Sequence, residues 1–441
     1  MSTLRSVLLL IMLAAVTTSG FNGVRITPHA TLSDAVFVLL VGTWVLSFPF
    51  QRHVKLRWSV VSSLFIFYLA FVASYFVGAS DQGAAVDLAG LVKILITFFV
   101  LPYLISDIVK TDQHARAVVV AFVASAIVNV CVSLLDATGL TDFQSWMRLE
   151  TVGGWDYETR FHGLAMHPNH FGQMCAIAAL LALGVFPENR YRWKRAVWAA
   201  SEVILVVGIV GSGSRAALLS AVLVGLLLSL KYRRVLALSL ARFVLIAGVA
   251  AMSTATLFYL GETITTHGAV ARLLGNSPDL GVEQSNAARI VSYKNAVEDL
   301  ASSPILGMGF SHIGGVENLF FQFLQSAGVI GLVGLVLYFY PAVKAWRNLK
   351  AHRPDLLMLA ATSGVGVYLV FTQMVNLTYA RFSLISVGLL WALERRSRVV
   401  NMDKEWRRLR EKGFISRNPT ASGAYVGAWP DPATAGAERS K

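Results

Sequence analysis

Charged residues are scarce in this chain: Asp, Glu, Lys and Arg make up 14% of 441 residues, against 55% hydrophobic residues, and the mean hydropathy is +0.60. Soluble globular proteins carry about 25% charged residues, so the composition excludes a water-soluble domain and indicates a polytopic membrane protein. Cysteine is nearly absent. Cys131 and Cys175 both fall in apolar runs, which excludes a disulfide framework and a thiolate metal site and leaves two small buried thiols. Acidic residues number 25 against 38 Lys and Arg. That excess reads as anchoring charge at the inner membrane face rather than a nucleic-acid surface, and no internal repeat is visible.

What the chain has instead is long apolar runs. A membrane-spanning helix needs roughly 20 mainly apolar residues, and about twelve stretches approach that description: 7–19, 32–48, 58–77, 88–105, 117–137, 171–186, 196–210, 216–230, 236–260, 319–340, 356–376 and 382–393. The first follows Arg5 and ends in small residues at 17–20, the outline of a signal peptide; it is read here as a retained span.

Lys and Arg collect in the even-numbered connections: Arg52, Lys55 and Arg57; Arg190, Arg192, Lys194 and Arg195; Lys231, Arg233 and Arg234; Lys344, Arg347, Lys350 and Arg353. The odd connections contrast with them, since 139–167 carries Asp142, Glu150, Asp156 and Glu158 against Arg148 and Arg160, and 261–318 is also net acidic. The positive-inside rule then places both termini in the cytoplasm and the odd loops in the periplasm or exterior. The expected fold is all-α, a polytopic integral membrane protein with about twelve transmembrane helices and a periplasmic cap built from loops 139–167 and 261–318. Residues 1–394 form the transmembrane domain. Residues 395–441 form a basic juxtamembrane segment, including Arg407, Arg408 and Arg410, followed by a disordered tail rich in Pro, Gly, Ala and Ser.

Polar islands on the outer side carry the candidate chemistry. Gly211-Ser-Gly-Ser-Arg215 joins two apolar runs with almost no loop, so Arg215 sits at the outer membrane boundary. An arginine there is costly unless it snorkels, pairs or binds a ligand. The glycines let backbone N–H groups approach an anion, and the helix that follows turns its positive end the same way. In the ninth loop, Ile290, Tyr293, Val297 and Leu300 fall on one helical stripe, which predicts a surface helix on the membrane boundary or over a cavity, flanked by Arg289 and Lys294. It gives way to the turn-rich Ser303-Pro-Ile-Leu-Gly307-Met-Gly309-Phe-Ser-His312 and re-enters the membrane at Glu317-Asn318. Glu317 could accept a proton from an attacking hydroxyl if burial raised its pKa; a boundary glutamate in water is the plain alternative.

The fifth loop ends Arg160-Phe-His162-Gly-Leu-Ala-Met-His167-Pro168-Asn169-His170, with Pro168 and Asn169 placed to open a helix. Three histidines lie close together, but no carboxylate or cysteine completes a ligand set, and no metal is expected. Arg160 is a third outward cation. Inside the membrane, Lys93 and Glu202 are candidates for an ion pair, with each other or with Arg215, or for a proton relay.

These residues resemble the superfamily of bacterial O-antigen ligases and O-antigen or exopolysaccharide polymerases. The resemblance rests on Gly163-Leu-Ala-Met-His-Pro168-Asn169, on Gly213-Ser214-Arg215-Ala216, on Arg289 followed by Pro304-Ile-Leu-Gly307-Met-Gly309, and on Asn318-Leu-Phe-Phe-Gln322 through Gly328 and Gly331. It covers about 160–334 in the family's order, and each motif alone is weak. It implies an inner-membrane glycosyltransferase that uses an undecaprenyl-diphosphate-linked glycan as donor and a second one as acceptor, with no cofactor, nucleotide sugar or metal ion. Arg215 and Arg289, joined by Arg160, would hold the donor diphosphate, and Asn318 and Lys294 would support them. Family members commonly carry a histidine immediately before the asparagine matching Asn318, taken to activate the acceptor hydroxyl. Here that position is Glu317, and His312 is the nearby substitute.

The resulting expectation is a polymerase of lipid-linked repeat units, working beside chain-length or export proteins. Two alternatives stand: ligation of a finished glycan to lipid A core or protein, and a transporter or flippase using Lys93 and Glu202.

Overall fold

The computed structural model describes residues 2–27, 30–47, 95–143, 160–165, 167–185, 192–231, 281–309, 318–349, 355–375 and 381–411, with isolated positions between 68 and 92. Among the described residues the chain is almost wholly helical, and its sheet is one antiparallel pair, β1 (Arg25–Thr27) with β2 (Ala30–Thr31). Helix α1 (Ser2–Thr18) leads into the pair and α2 (Leu32–Leu46) leaves it. A capping box fixes that exit: Thr31 Oγ1 accepts the Asp34 N–H and the Asp34 carboxylate accepts the Thr31 N–H. A π-helical turn, Leu95–Val100, runs into α3 (Leu101–Ile108). There follow α4 (Asp112–Ala137), α5 (Pro168–Leu183), α6 (Arg192–Gly211), α7 (215–231), α8 (Gly281–Ser302), α9 (Leu319–Asn348), α10 (Leu356–Phe371) and α11 (Ile385–Glu411). The chain divides into two compact units, Met1–Glu394 and Arg395–Lys441, with the boundary inside α11.

Helix α5 is the centre of the first unit. It packs on α4, α6 and α10, and every residue from Phe171 to Ala182 is buried. Helices α4 and α9 are long and apolar enough to cross a membrane; α2, α10, residues 4–18 of α1 and the run 95–108 are apolar but shorter. Exposed apolar side chains line α7 at Leu219, Val222, Leu223, Leu226 and Leu230, and α9 at Val329, Val333, Val336 and Tyr340, at helical spacing. Polar groups lie inside: Ser125 and Asn129 of α4 are buried, and Ser383 Oγ donates to Gln173 Oε1 at 2.9 Å within the interior. Cys175 is buried, whereas Cys131 is exposed on the α4 face that carries Val128 and Leu135. The expectation of two buried thiols therefore holds for Cys175 alone.

Contacts between distant segments sort into two sets. In one, the Gly23 N–H donates to Leu164 O at 2.9 Å, Phe161 N–H to Gly211 O at 3.0 Å and Leu319 N–H to Thr372 O at 2.8 Å, while Arg381 pairs with Asp34. In the other, Trp44 Nε1 donates to Asp107 Oδ2 at 3.1 Å and the Lys231 ammonium lies 4.4 Å from the Trp346 ring centre. None of these contacts joins an odd-numbered connection to an even-numbered one.

Helix α9 is interrupted at Gly328, with φ 61° and ψ −161°, a conformation essentially reserved for glycine. Residues 304–309 fill the break. The Val329 and Ile330 N–H groups donate to Pro304 O and Ile305 O at 3.0 and 3.4 Å, and Met308 and Gly309 donate to Gln325 O and Ser326 O at 2.8 and 3.0 Å. Backbone groups freed by the break thus find partners within the protein, the condition for irregular chain in an apolar setting. Beyond it, residues 329–343, up to Lys344, rise about 22 Å at 1.5 Å per residue. The helix is long and apolar enough to cross a membrane only as a whole, so the expected span 319–340 is two pieces.

Candidate functional site

Asn129 anchors the first cluster. Buried in α4, it accepts the Leu164 N–H through Oδ1 at 2.8 Å and donates through Nδ2 to Ser125 O at 2.9 Å. Gly163 lies against it with φ +53°, where a Cβ would stand 2.5 Å from the Asn129 carbonyl oxygen. The segment 160–165 is therefore held flat on α4. One turn on, Pro168 opens α5 as the motif predicts, and His167 caps it by accepting the Asn169 N–H through Nδ1 at 3.0 Å.

Arg160 bridges this segment to the Gly-Ser-Gly-Ser turn. Only 6% exposed, it donates from Nε to Ser212 O at 2.8 Å and from Nη2 to Asn169 Oδ1 at 3.1 Å. The turn is also self-braced: Ser212 Oγ donates to Ile209 O at 2.6 Å and accepts the Ser214 N–H at 3.1 Å, and Ser214 Oγ accepts the Ala217 N–H at 3.3 Å. Ser214 thus caps α7. Arg215 is the first residue of that helix and is exposed, so a cationic residue stands at the positive end of the helix. Beside them, burial pushes the His162 imidazole below its ordinary value of 6.5, and the Arg160 charge adds to this, opposed by the Gly163 and Ala165 backbone and the Asp136 carboxylate. His162 is accordingly neutral at pH 7.

The second cluster is built by α8 and the start of α9. Tyr293 meets Phe321 with ring centres 5.4 Å apart, and Asp299 accepts a hydrogen bond from Gln325. Asn318 caps α9 by accepting the Phe320 and Phe321 N–H groups, and its Nδ2 donates to Gln373 O at 3.1 Å, tying the start of α9 to the end of α10. Arg289 is half-buried on α8. Lys294 stands on the exposed side, 3.9 Å from Glu298 one turn on, a solvated pair worth little to stability. The expected stripe is turned relative to its spacing: Tyr293 and Leu300 face inward with Ala296, while Ile290 and Val297 are exposed.

The structure brings together Arg160 and the turn before Arg215, and ties Asn318 to Gln373 past the end of α10. Glu317, His312 and Lys93 lie outside the described residues. Glu202 is buried in α6, and among the described residues neither of its carboxyl oxygens has a hydrogen-bond partner, so it makes no hydrogen-bonded pair with Arg215. The His167 and His170 rings are 5.6 Å apart, but among the described residues no group of three His, Cys, Asp or Glu side chains could hold a metal ion. Asn129 and Gln373 escaped the sequence reading, as did the roles of Asn169 and Ser212 as acceptors for Arg160. Asn129 left one signal, an amide within an apolar span. Compared with known proteins, the chain matches no family model and no curated sequence.

Proposed function

We propose that this protein is a polytopic inner-membrane glycosyltransferase that joins undecaprenyl-diphosphate-linked oligosaccharide repeat units on the periplasmic face, in exopolysaccharide or O-antigen synthesis. The carrying observation is Arg215, exposed at the first residue of α7 on a turn braced from beneath by buried Arg160. Apolar stripes outside, amides inside and two helices long and apolar enough to cross a membrane support the seating in lipid; about twelve spans is the proposed count. Contacts that join odd connections with odd and even with even support a periplasmic cap and cytoplasmic termini.

In this reading Arg215 and the positive end of α7 hold one side of the donor diphosphate, Arg289 the other, and Arg160 keeps the turn in register. The acceptor hydroxyl attacks the anomeric carbon, forming the new glycosidic C–O bond as the bond from that carbon to the diphosphate oxygen breaks. Glu317 or His312 takes the hydroxyl proton. The bonding electrons leave with the diphosphate, whose developing charge the preorganised cations stabilise.

Reconstitution in liposomes with an undecaprenyl-diphosphate-linked repeat unit tests this. The expected product is a ladder of multiples, lost in Arg215→Ala and Arg289→Ala at equal protein level; normal ladders from both variants would sink the reading. No elongation from the authentic unit, with transfer restored by added lipid A core, would favour a ligase. The buried carboxyl of Glu202, without a hydrogen-bond partner among the described residues, favours the transporter as a second reading. It predicts that Glu202→Gln abolishes function while the arginine variants remain active.

A further inference from the structure

We infer that the exposed face of α8, continued by Ile305, is a membrane-surface anchor seated at the boundary between lipid headgroups and acyl chains. This rests on the membrane reading above but not on the reaction assigned to it. Helix α8 has an inner face, Tyr293, Ala296 and Leu300, turned to α9. Its other side shows Ile290 at 69% exposure and Val297 at 54%, with Val291 also exposed, and Ile305 just beyond the helix is 63% exposed. Four large aliphatic side chains on one short stretch form the kind of patch that marks an interaction surface.

Position identifies the occupant. The Ile305 carbonyl accepts the Ile330 N–H and its neighbour Pro304 accepts from Val329, so Ile305 stands where the exposed apolar stripe of α9 begins. That stripe runs on through Val333, Val336 and Tyr340 along α9, a helix long and apolar enough to cross a membrane. An apolar surface continuing the lipid-facing wall of such a helix, at its end, meets the same bilayer at the headgroup boundary. Lys294 and Glu298, paired among these aliphatics, suit that depth, since a lysine stem lies along the acyl layer while its ammonium reaches the phosphates. The anchor sets the depth of Arg289, the residue before Ile290, at the level of lipid phosphates.

The test uses the full chain with Cys131 and Cys175 replaced by alanine and single cysteines at Val297, Ile305 or Val336, each carrying an environment-sensitive fluorophore. The protein is reconstituted in phosphatidylethanolamine–phosphatidylglycerol vesicles containing nitroxide lipids labelled near the headgroup or deep in the acyl chain. At 297 and 305 the shallow nitroxide should quench at least twofold more strongly than the deep one, and at 336 the order should reverse. Quenching at 336 with none at 297 and 305 overturns the anchor and leaves the membrane reading standing. So does blue-shifted, unquenched emission at 297 that depends on the protein-to-lipid ratio, which would assign the face to a second copy. Loss of quenching at all three positions overturns the membrane reading itself.

Discussion

A methyl group on Gly328 has nowhere to go. Its Cβ would lie 2.2 Å from the Ile305 carbonyl oxygen and 2.8 Å from the Gly307 nitrogen, and the positive φ costs any other residue about 1–3 kcal/mol. Relief of the clash must push residues 304–309 out of the break. That loses the bonds from Val329 to Pro304, Met308 to Gln325 and Gly309 to Ser326, each worth about 1 kcal/mol. Gly328→Ala should therefore destabilise the protein by about 4–6 kcal/mol, a large share of an ordinary folding stability. Gly225→Ala is the control, because an added Cβ there meets nothing within 4 Å and alanine favours the helix by up to about 1 kcal/mol. Heating each purified variant in detergent and measuring the monodisperse fraction should show Gly328→Ala failing roughly 5 °C below wild type and Gly225→Ala at or slightly above it. Equal midpoints for the two variants would refute the broken helix and the seating of 304–309 in it.

The same heating assay tests the Arg160 brace. Arg160→Met removes two hydrogen bonds from a charged donor, about 1.5–3 kcal/mol each, and should lower the midpoint clearly more than Arg160→Lys, which keeps the charge and can keep one bond; no loss in either would dismiss the brace. His162 gives a pH prediction. Its folded pKa lies below 6.5, so its stabilising contribution is complete above that pH and is lost as pH falls through the folded value, by at most about 1.4 kcal/mol per unit. The wild-type midpoint should drop between pH 7.5 and 5.5, and His162→Asn should flatten that slope; an unchanged slope would show that His162 is not the group responsible.

Local signals carried the helix starts. Pro168 after a capping polar residue, and Asn318 before an apolar run, open α5 and α9 as their chemistry dictates. The ordered helix over 281–302 was readable from its stripe, but which apolar residues face inward was not: periodicity reports a face without saying what covers it. Long-range partners left no trace either. Arg160 looked like one more outward cation because its acceptor at Ser212 lies 52 residues away, and Asn129 clamps a loop 35 residues downstream. Gly328 sits in a glycine-bearing apolar run in which nothing separates a flexible position from a forced break. Its meaning comes only from the segment laid against it.

Under the proposed membrane reading, the interruption in α9 also makes the protein sensitive to bilayer thickness. The 329–343 piece, up to Lys344, covers about 22 Å of a core of about 30 Å, and the 319–327 piece beyond the break is tethered through Asn318 to Gln373. A thicker bilayer can lengthen this path only by drawing 319–327 inward against that tether, and α8, which packs on it, moves with it. Acyl-chain length then acts on the depth of Arg289 from a distance. The proposed transfer, measured across phosphatidylcholines of graded chain length, should peak near that thickness; a flat response would mean the two pieces of α9 move as one rod.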